Sequence, residues 1–164
     1  MSDPSFPDVP PALQELRTRP LFALNVDVAP LQLPGGPEGA GRRIGPIPGG
    51  RFKGERLSGR VLDGGTDWQT LRSDGSVLLD ARIVLETDDG ALIGMIYTGF
   101  RHGPAEVMAR LARGEAVDPA EYYFRIQASF STSAPRYAWL NGVLAIGLGH
   151  RLPAGPIYNL LEVL

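Results

Sequence analysis

Leu78-Leu79-Asp80-Ala81-Arg82-Ile83-Val84-Leu85-Glu86 alternates residue by residue. Leu79, Ala81, Ile83 and Leu85 fall on one face, and Asp80, Arg82, Val84 and Glu86 on the other. This is the period-two pattern of a β-strand. Tyr123, Arg125, Gln127 and Ser129 repeat it against Tyr122, Phe124, Ile126 and Ala128. Tyr97 and Arg101 do the same on the 91–101 segment. A row of ionisable groups facing solvent carries no function. The same row inside a closed sheet makes a polar pocket, because buried charges must be paired or used.

Outward from that stretch the chain reads as strands joined by turns. Leu21 to Val28, Phe52 to Leu62, Trp68 to Leu71, Leu78 to Thr87, Ala91 to Phe100, Tyr122 to Phe130, Leu140 to Leu148 and Ile157 to Val163 read as strands. Asp63-Gly64-Gly65, Ser73-Asp74-Gly75 and Asp88-Asp89-Gly90 are turn signals. Pro30 to Gly50 reads as a long Gly/Pro-rich connection. One helix is expected at Pro104 to Arg113, where Val107, Met108 and Leu111 have helical spacing and Gly114 follows. The expectation is an all-β fold: a single antiparallel β-barrel of about eight strands with one short inserted helix. Closure removes sheet edges and leaves room for packed side chains or one small ligand. Residues 1–20, rich in Pro and polar residues, read as an N-terminal arm, and 21–164 as the barrel domain.

Composition narrows the function classes. The chain has 164 residues, 43% hydrophobic and 21% charged, with 21 Gly and 15 Pro, which fits one turn-rich domain. No apolar run approaches the ~20 residues of a membrane-spanning helix. A net charge of −2 gives no footprint for nucleic acid or an anionic membrane. Cysteine is absent, which excludes disulfides, thiolate nucleophiles and Cys-ligated metals and suits a cytoplasmic location. Met1 to Pro11 lacks the basic and apolar regions of a signal peptide. His102 and His150 form no metal-binding motif, and no phosphate loop or GxSxG elbow occurs. Lys53 is the only lysine, so Schiff-base chemistry is not expected. Neither a metal nor an organic cofactor is called for.

Three groups of residues are candidates for chemistry. Asp63 to Trp68 holds a double glycine that presents Asp67 and Trp68 at a strand mouth; the plain alternative is a turn capped by Asp67 and a barrel end plugged by Trp68. Asp80, Arg82 and Glu86 form a charged row, unless they are a solvated face of weak ion pairs. Tyr123 and Arg125, with Tyr97 and Arg101, form the third group, and cross-strand pairing explains them equally. Asn141, beside Trp139, is a turn-start residue with a weaker functional reading.

The runs Gly64-Gly65-Thr66-Asp67-Trp68-Gln69, Arg72-Ser73-Asp74-Gly75, Leu79-Asp80-Ala81-Arg82, Glu86-Thr87-Asp88-Asp89-Gly90, Tyr123-Phe124-Arg125 and Pro135-Arg136-Tyr137-Ala138-Trp139-Leu140-Asn141 resemble the family called domain of unknown function 3237, over roughly residues 20–164. The resemblance implies a β-barrel with a helix at one mouth. It also implies a link to breakdown of lignin-derived aromatic acids, including decarboxylation without a cofactor. A para-hydroxyaryl acid supplies its own electron sink through a quinone methide, so such a site needs a base, an anion clamp and a dry cavity. Arg82 or Arg125 would hold an anionic group. Asp67, Asp80 or Glu86 would move a proton, Tyr97 or Tyr123 would bond the phenolate, and Trp68 would stack on the ring. Asp67, Asp80, Arg82, Glu86 and Tyr123 are thus the expected catalytic residues, and Trp68, Tyr97, Arg125 and Asn141 the expected substrate contacts.

Three readings follow. The first is a cofactor-independent lyase, decarboxylase or isomerase acting on a small aromatic or enolisable acid, which requires the Asp80/Arg82/Glu86 face to be inside. The second is a binding protein for a small, anionic ligand. The third is a structural subunit that self-associates through an apolar outer face.

Overall fold

The computed structural model describes residues 6–164. The first five residues of the expected arm lie outside the described ones. Residues 6–20 are exposed throughout, with a 3-10 turn at Pro11–Leu13. The strands are β1 (Thr18–Asp27), β2 (Gln32–Gly35), β3 (Gly41–Ile47), β4 (Gly49–Lys53), β5 (Ser58–Val61), β6 (Gly65–Leu71), β7 (Val77–Thr87), β8 (Leu92–His102), β9 (Tyr123–Ser131), β10 (Ala145–Leu152) and β11 (Gly155–Val163). One α-helix, α1 (Ala105–Ala112), separates β8 from β9.

Eight strands close into an antiparallel ring in the order β7-β5-β4-β1-β11-β10-β9-β8, with β8 returning to β7. The remaining three, β6, β3 and β2, branch from the first half of β7. β7 therefore pairs with β6 through its first residues, with β5 through its last, and with β8 along most of its length. Among the described residues no helix is long and apolar enough to cross a membrane.

The closed barrel with its single α-helix is the architecture the sequence pattern called for, but three local readings change. The 30–50 connection holds β2 and β3, which pair with each other, and the pairing of β3 with β6 builds one wall of the barrel mouth. The expected strand 52–62 is two strands, because the chain turns at Gly54, whose N–H donates to the Leu57 carbonyl at 2.9 Å. The expected start of a strand at Leu140 falls in a 3-10 segment, Pro135–Gly142, and β10 begins at Ala145. Leu140 is buried there. Asn141 pins the segment by accepting from Thr132 N and donating to Thr132 O.

The inward row of β7 settles which face is core. Leu79, Ala81, Ile83 and Leu85 are all buried, while Asp80, Arg82 and Val84 are exposed. Each large apolar side chain so buried contributes about 1.5–3 kcal/mol. The lower half of the barrel is filled by Phe22 against Phe52 and Phe130. The lower end is closed by Glu162, which is buried and accepts from Arg19 and Arg56. Arg56 also stacks over Trp139 at 4.4 Å.

Close strand packing depends on glycine at a few inward positions. A Cβ on Gly59 would lie 2.0 Å from the Glu86 carbonyl oxygen, a backbone atom that cannot yield cheaply. Gly59→Ala is expected to destabilise the fold by about 1–3 kcal/mol or more. Gly142→Ala, with nothing within 4 Å of the added carbon, should change little. Urea unfolding of both variants measures the difference.

Candidate functional site

Two concavities stand out. The larger, about 730 Å³, is an open groove on the outer face of β6–β10. The smaller, about 380 Å³, lies inside the barrel mouth beneath α1. The inner one is the better candidate because charge is buried there.

Its charged groups arrive on inward rows of separate strands. In β3 the row Ile47, Gly45 ends in Arg43. In β8 the row Ile93, Met95, Tyr97, Gly99 ends in Arg101. In β10 the row Ala145, Gly147, Gly149 ends in Arg151. Asp67 and Gln69 point inward from β6, opposite Gly45 and Arg43. Tyr158 comes from β11 and Phe124 from β9, and both line the cavity. Gly149 leaves room for these two rings, since a Cβ there would lie 2.7 Å from Phe124. α1 closes the mouth with Met108, Ala109, Leu111 and Ala112.

A hydrogen-bond chain runs through the wall. Arg43 donates to Gln69 Oε1 at 3.0 Å, and Gln69 Nε2 donates to Asp67 Oδ2 at 2.9 Å. Asp67 Oδ1 accepts the Asp80 backbone N–H at 3.2 Å. Only 5% of Asp67 is exposed. Burial pushes its carboxyl pKa up, against the hydrogen bonds from Gln69 and the Asp80 amide and the attraction of Arg101. Arg101 lies over the Phe124 ring at 5.3 Å, and its buried Nε has no partner among the described residues. Burial first, then repulsion from Arg151, lowers its pKa to about 10, so it stays protonated at neutral pH. Arg43 and Arg151 are lowered chiefly by burial as well. The Arg43 Nε and the Tyr158 hydroxyl are also buried without hydrogen-bond partners among the described residues. Burial raises the pKa of the Tyr97 and Tyr158 phenols, whose rings meet edge-on at 5.5 Å. Tyr122 braces Arg151: its hydroxyl accepts the Arg151 backbone N–H at 2.8 Å and bonds His150 Nδ1 at 3.0 Å.

The structure sorts the residues expected from the sequence into three places. Asp67 lines the inner cavity, and Tyr97 is buried in the barrel interior. Asp80, Arg82 and Glu86 face outward, so the pocket drawn from that row is corrected: no site inside the barrel uses those side chains. Glu86 pairs instead with Arg60 at 3.0 Å on the surface. The cause is register, since the apolar row of the same strand is the one that fills the core. Trp68, Asp80, Tyr123 and Arg125 line the outer groove. Trp68 is 50% exposed and does not plug the barrel end. Asn141 braces Thr132 beyond the lower end of β9, away from the cavity. Arg43, Gln69, Arg151 and Tyr158 were not singled out by sequence. The signal available was an inward apolar row ending in arginine, repeated on three strands.

The family model described as "Protein of unknown function (DUF3237)" matches residues 16–163. The chain belongs to the DUF3237 family. A UPF0311 protein of Rhodopseudomonas palustris is 38% identical over 149 residues, covering 91% of this chain and 97% of its own. A crystal structure of a protein of unknown function from that organism superposes with a TM-score of 0.88 at 37% identity, over 92% of this chain and 99% of the other. A β-barrel like protein from Acinetobacter baumannii gives 0.81 at 43% identity, over 96% and 99%. More distantly, a hydroalkoxylation enzyme of Penicillium herquei is 28% identical over 127 residues, 77% of this chain and 70% of its own. The structure of an enzyme from that fungus shares the fold, with a TM-score of 0.73 at 23% identity, over 97% of this chain and 100% of the other.

Asp67 gives a pH-dependent stability. Its folded-state pKa lies above the ordinary 3.8, so between those two values the folded protein binds more protons than the unfolded chain. Stability from this group therefore falls as pH rises through that window. Asp67→Asn should remove this slope, so that its stability relative to wild type improves from pH 4 to pH 8. Urea midpoints of both proteins across that range check it.

Proposed function

We propose that the protein is a cofactor-independent enzyme that moves protons on a small, anionic, enolisable or phenolic acid held under α1. The observation that carries this reading is a buried carboxyl of raised proton affinity facing three arginines in one cavity. Groups of opposite sign converging in a closed pocket mark acid–base sites. The fungal relative supports the class, since hydroalkoxylation adds an O–H across a C=C and requires proton transfer.

Asp67 is the candidate base and acid. Gln69 and the Asp80 amide fix its two oxygens, and burial makes the ionised carboxylate a stronger base than one in water. When it takes a proton from a carbon beside a carbonyl, the C–H electron pair forms a C=C bond. The carbonyl π pair then moves to oxygen as an enolate. Arg101, with its free Nε, and the Tyr158 hydroxyl are the donors placed to stabilise that oxygen. Returning the proton to a different carbon completes an isomerisation. In a lyase, the enolate expels a group from the next carbon. In a decarboxylase, the pair from the broken C–C bond enters the same sink and CO₂ departs. Phe124 and α1 keep the cavity apolar around the reacting carbon, which strengthens each electrostatic contact.

Incubation with a panel of enolisable and phenolic acids in deuterated buffer tests the reading by NMR. Deuterium at the acidic carbon, or loss of CO₂, is expected with wild type. Asp67→Asn should slow the reaction by about 10²–10⁴-fold while the protein stays folded. Equal rates in the two proteins would remove Asp67 from the chemistry, and no turnover of any acid would favour a binding protein instead.

The outer groove favours a second, compatible reading, in which copies of the chain associate through this face. Trp68, Phe100, Tyr123 and Leu148 are each 39–50% exposed and line one concavity, an apolar patch of the kind that marks interfaces. Light scattering after size exclusion should show an oligomer that Trp68→Arg dissociates without lowering monomer stability by more than about 0.5 kcal/mol. A wild type that is monomeric at every concentration ends this reading.

A further inference from the structure

We propose that the cavity under α1 takes a small organic dianion, a dicarboxylate, with its charges shared among Arg43, Arg101 and Arg151. This rests on the acid–base reading above and narrows its substrate from an enolisable acid to an enolisable diacid.

The charged side chains lining the cavity are Arg43, Arg101, Arg151 and Asp67. With all four ionised the cavity carries two uncompensated positive charges. None of the three arginines forms an ion pair among the described residues. Asp67 is already engaged by Gln69 and a backbone amide. Guanidiniums held together with a single carboxylate among them repel one another, and a cavity that keeps three of them is complementary to more than one further negative charge. A monoanion would leave one excess positive charge in place. The free Nε atoms of Arg43 and Arg101 are donors waiting for an acceptor.

The shape favours carbon between the charges. The three arginines come from β3, β8 and β10, so they approach from different sides of the mouth. Between them the lining is apolar: Leu79, Val77, Met108 and Leu111, with the Phe124 ring. A compact inorganic anion would leave that lining unfilled. At about 380 Å³ the cavity is near the small end of ligand sites, which suits a short diacid rather than a nucleotide or a lipid.

Titration calorimetry on the full chain tests this with succinate, glutarate and phthalate, their monomethyl esters, and inorganic phosphate. At least one diacid is expected to bind wild type ten times or more tighter than its own half-ester. Arg101→Gln should bring that ratio close to one. Arg101→Lys, which keeps the charge, should retain most of it, and circular dichroism confirms that both variants fold. Half-esters binding as tightly as diacids would overturn the proposal, as would phosphate outbinding every diacid or no diacid binding folded wild type. The outcomes separate from those of the acid–base reading. A bound diacid whose carbon-bound protons never exchange sinks the enzyme and leaves the dianion site. Turnover of monoacids without charge preference sinks the dianion site alone.

Discussion

The pairing of β7 with three other strands is the constraint on which the molecule depends. Val77 to Glu86 runs in register with Leu92 to Arg101 of β8. On the other edge the same strand serves β6 first and β5 afterwards. A strand with two partners along one edge must feed two layers at once. The lower half belongs to the closed ring. The upper half carries the β6–β3 wall outward and opens the mouth. Shifting β7 by one residue would send Asp80, Arg82 and Glu86 into the core and expel Leu79, Ala81, Ile83 and Leu85. Hydrophobic burial on that one row therefore fixes ring closure and cavity position together.

That dependence explains what the sequence did and did not disclose. Alternation along 78–86 identifies the strand and both of its faces, and the Asp88-Asp89-Gly90 turn identifies its partner. It does not say which face is inside when charge appears on the other. The apolar row has that decision, because four buried aliphatic positions outweigh a charged row that water solvates freely. Asp67 was legible because a double glycine and a tryptophan flank it. Arg43 and Arg151 were not, since each sits in a loop-like or glycine-rich stretch where arginine looks like ordinary surface. Gly147 and Gly149 hide the inward row of β10 from any reading by hydropathy, although side chains of β9 and β11 occupy the space beside them: Ile126 and Leu160 at Gly147, and the Phe124 and Tyr158 rings at Gly149.

The mouth is built against the interest of stability. Three guanidiniums gather where solvent is limited, Asp67 is desolvated, and the Tyr158 hydroxyl goes unpartnered. The core below compensates with aromatic and aliphatic packing. The two ends of the barrel differ in pairing: below Phe22, Phe52 and Phe130 the buried Glu162 is neutralised by Arg19 and Arg56, whereas Arg43, Arg101 and Arg151 at the mouth have no ion pair among the described residues. Proteins commonly concentrate unfavourable polar burial at functional sites and offset it elsewhere.

The closed lower end has a kinetic meaning. Glu162, held by Arg19 and Arg56, and the phenylalanines above it fill the end of the barrel opposite the cavity. The cavity lies at the other end, with α1 across it. Whatever enters must leave by the way it came, past the same helix. Two ligands cannot exchange by flow-through, so a bound molecule blocks the next until it departs. At about 380 Å³ the cavity holds one small ligand at a time, so any two ligands for it compete.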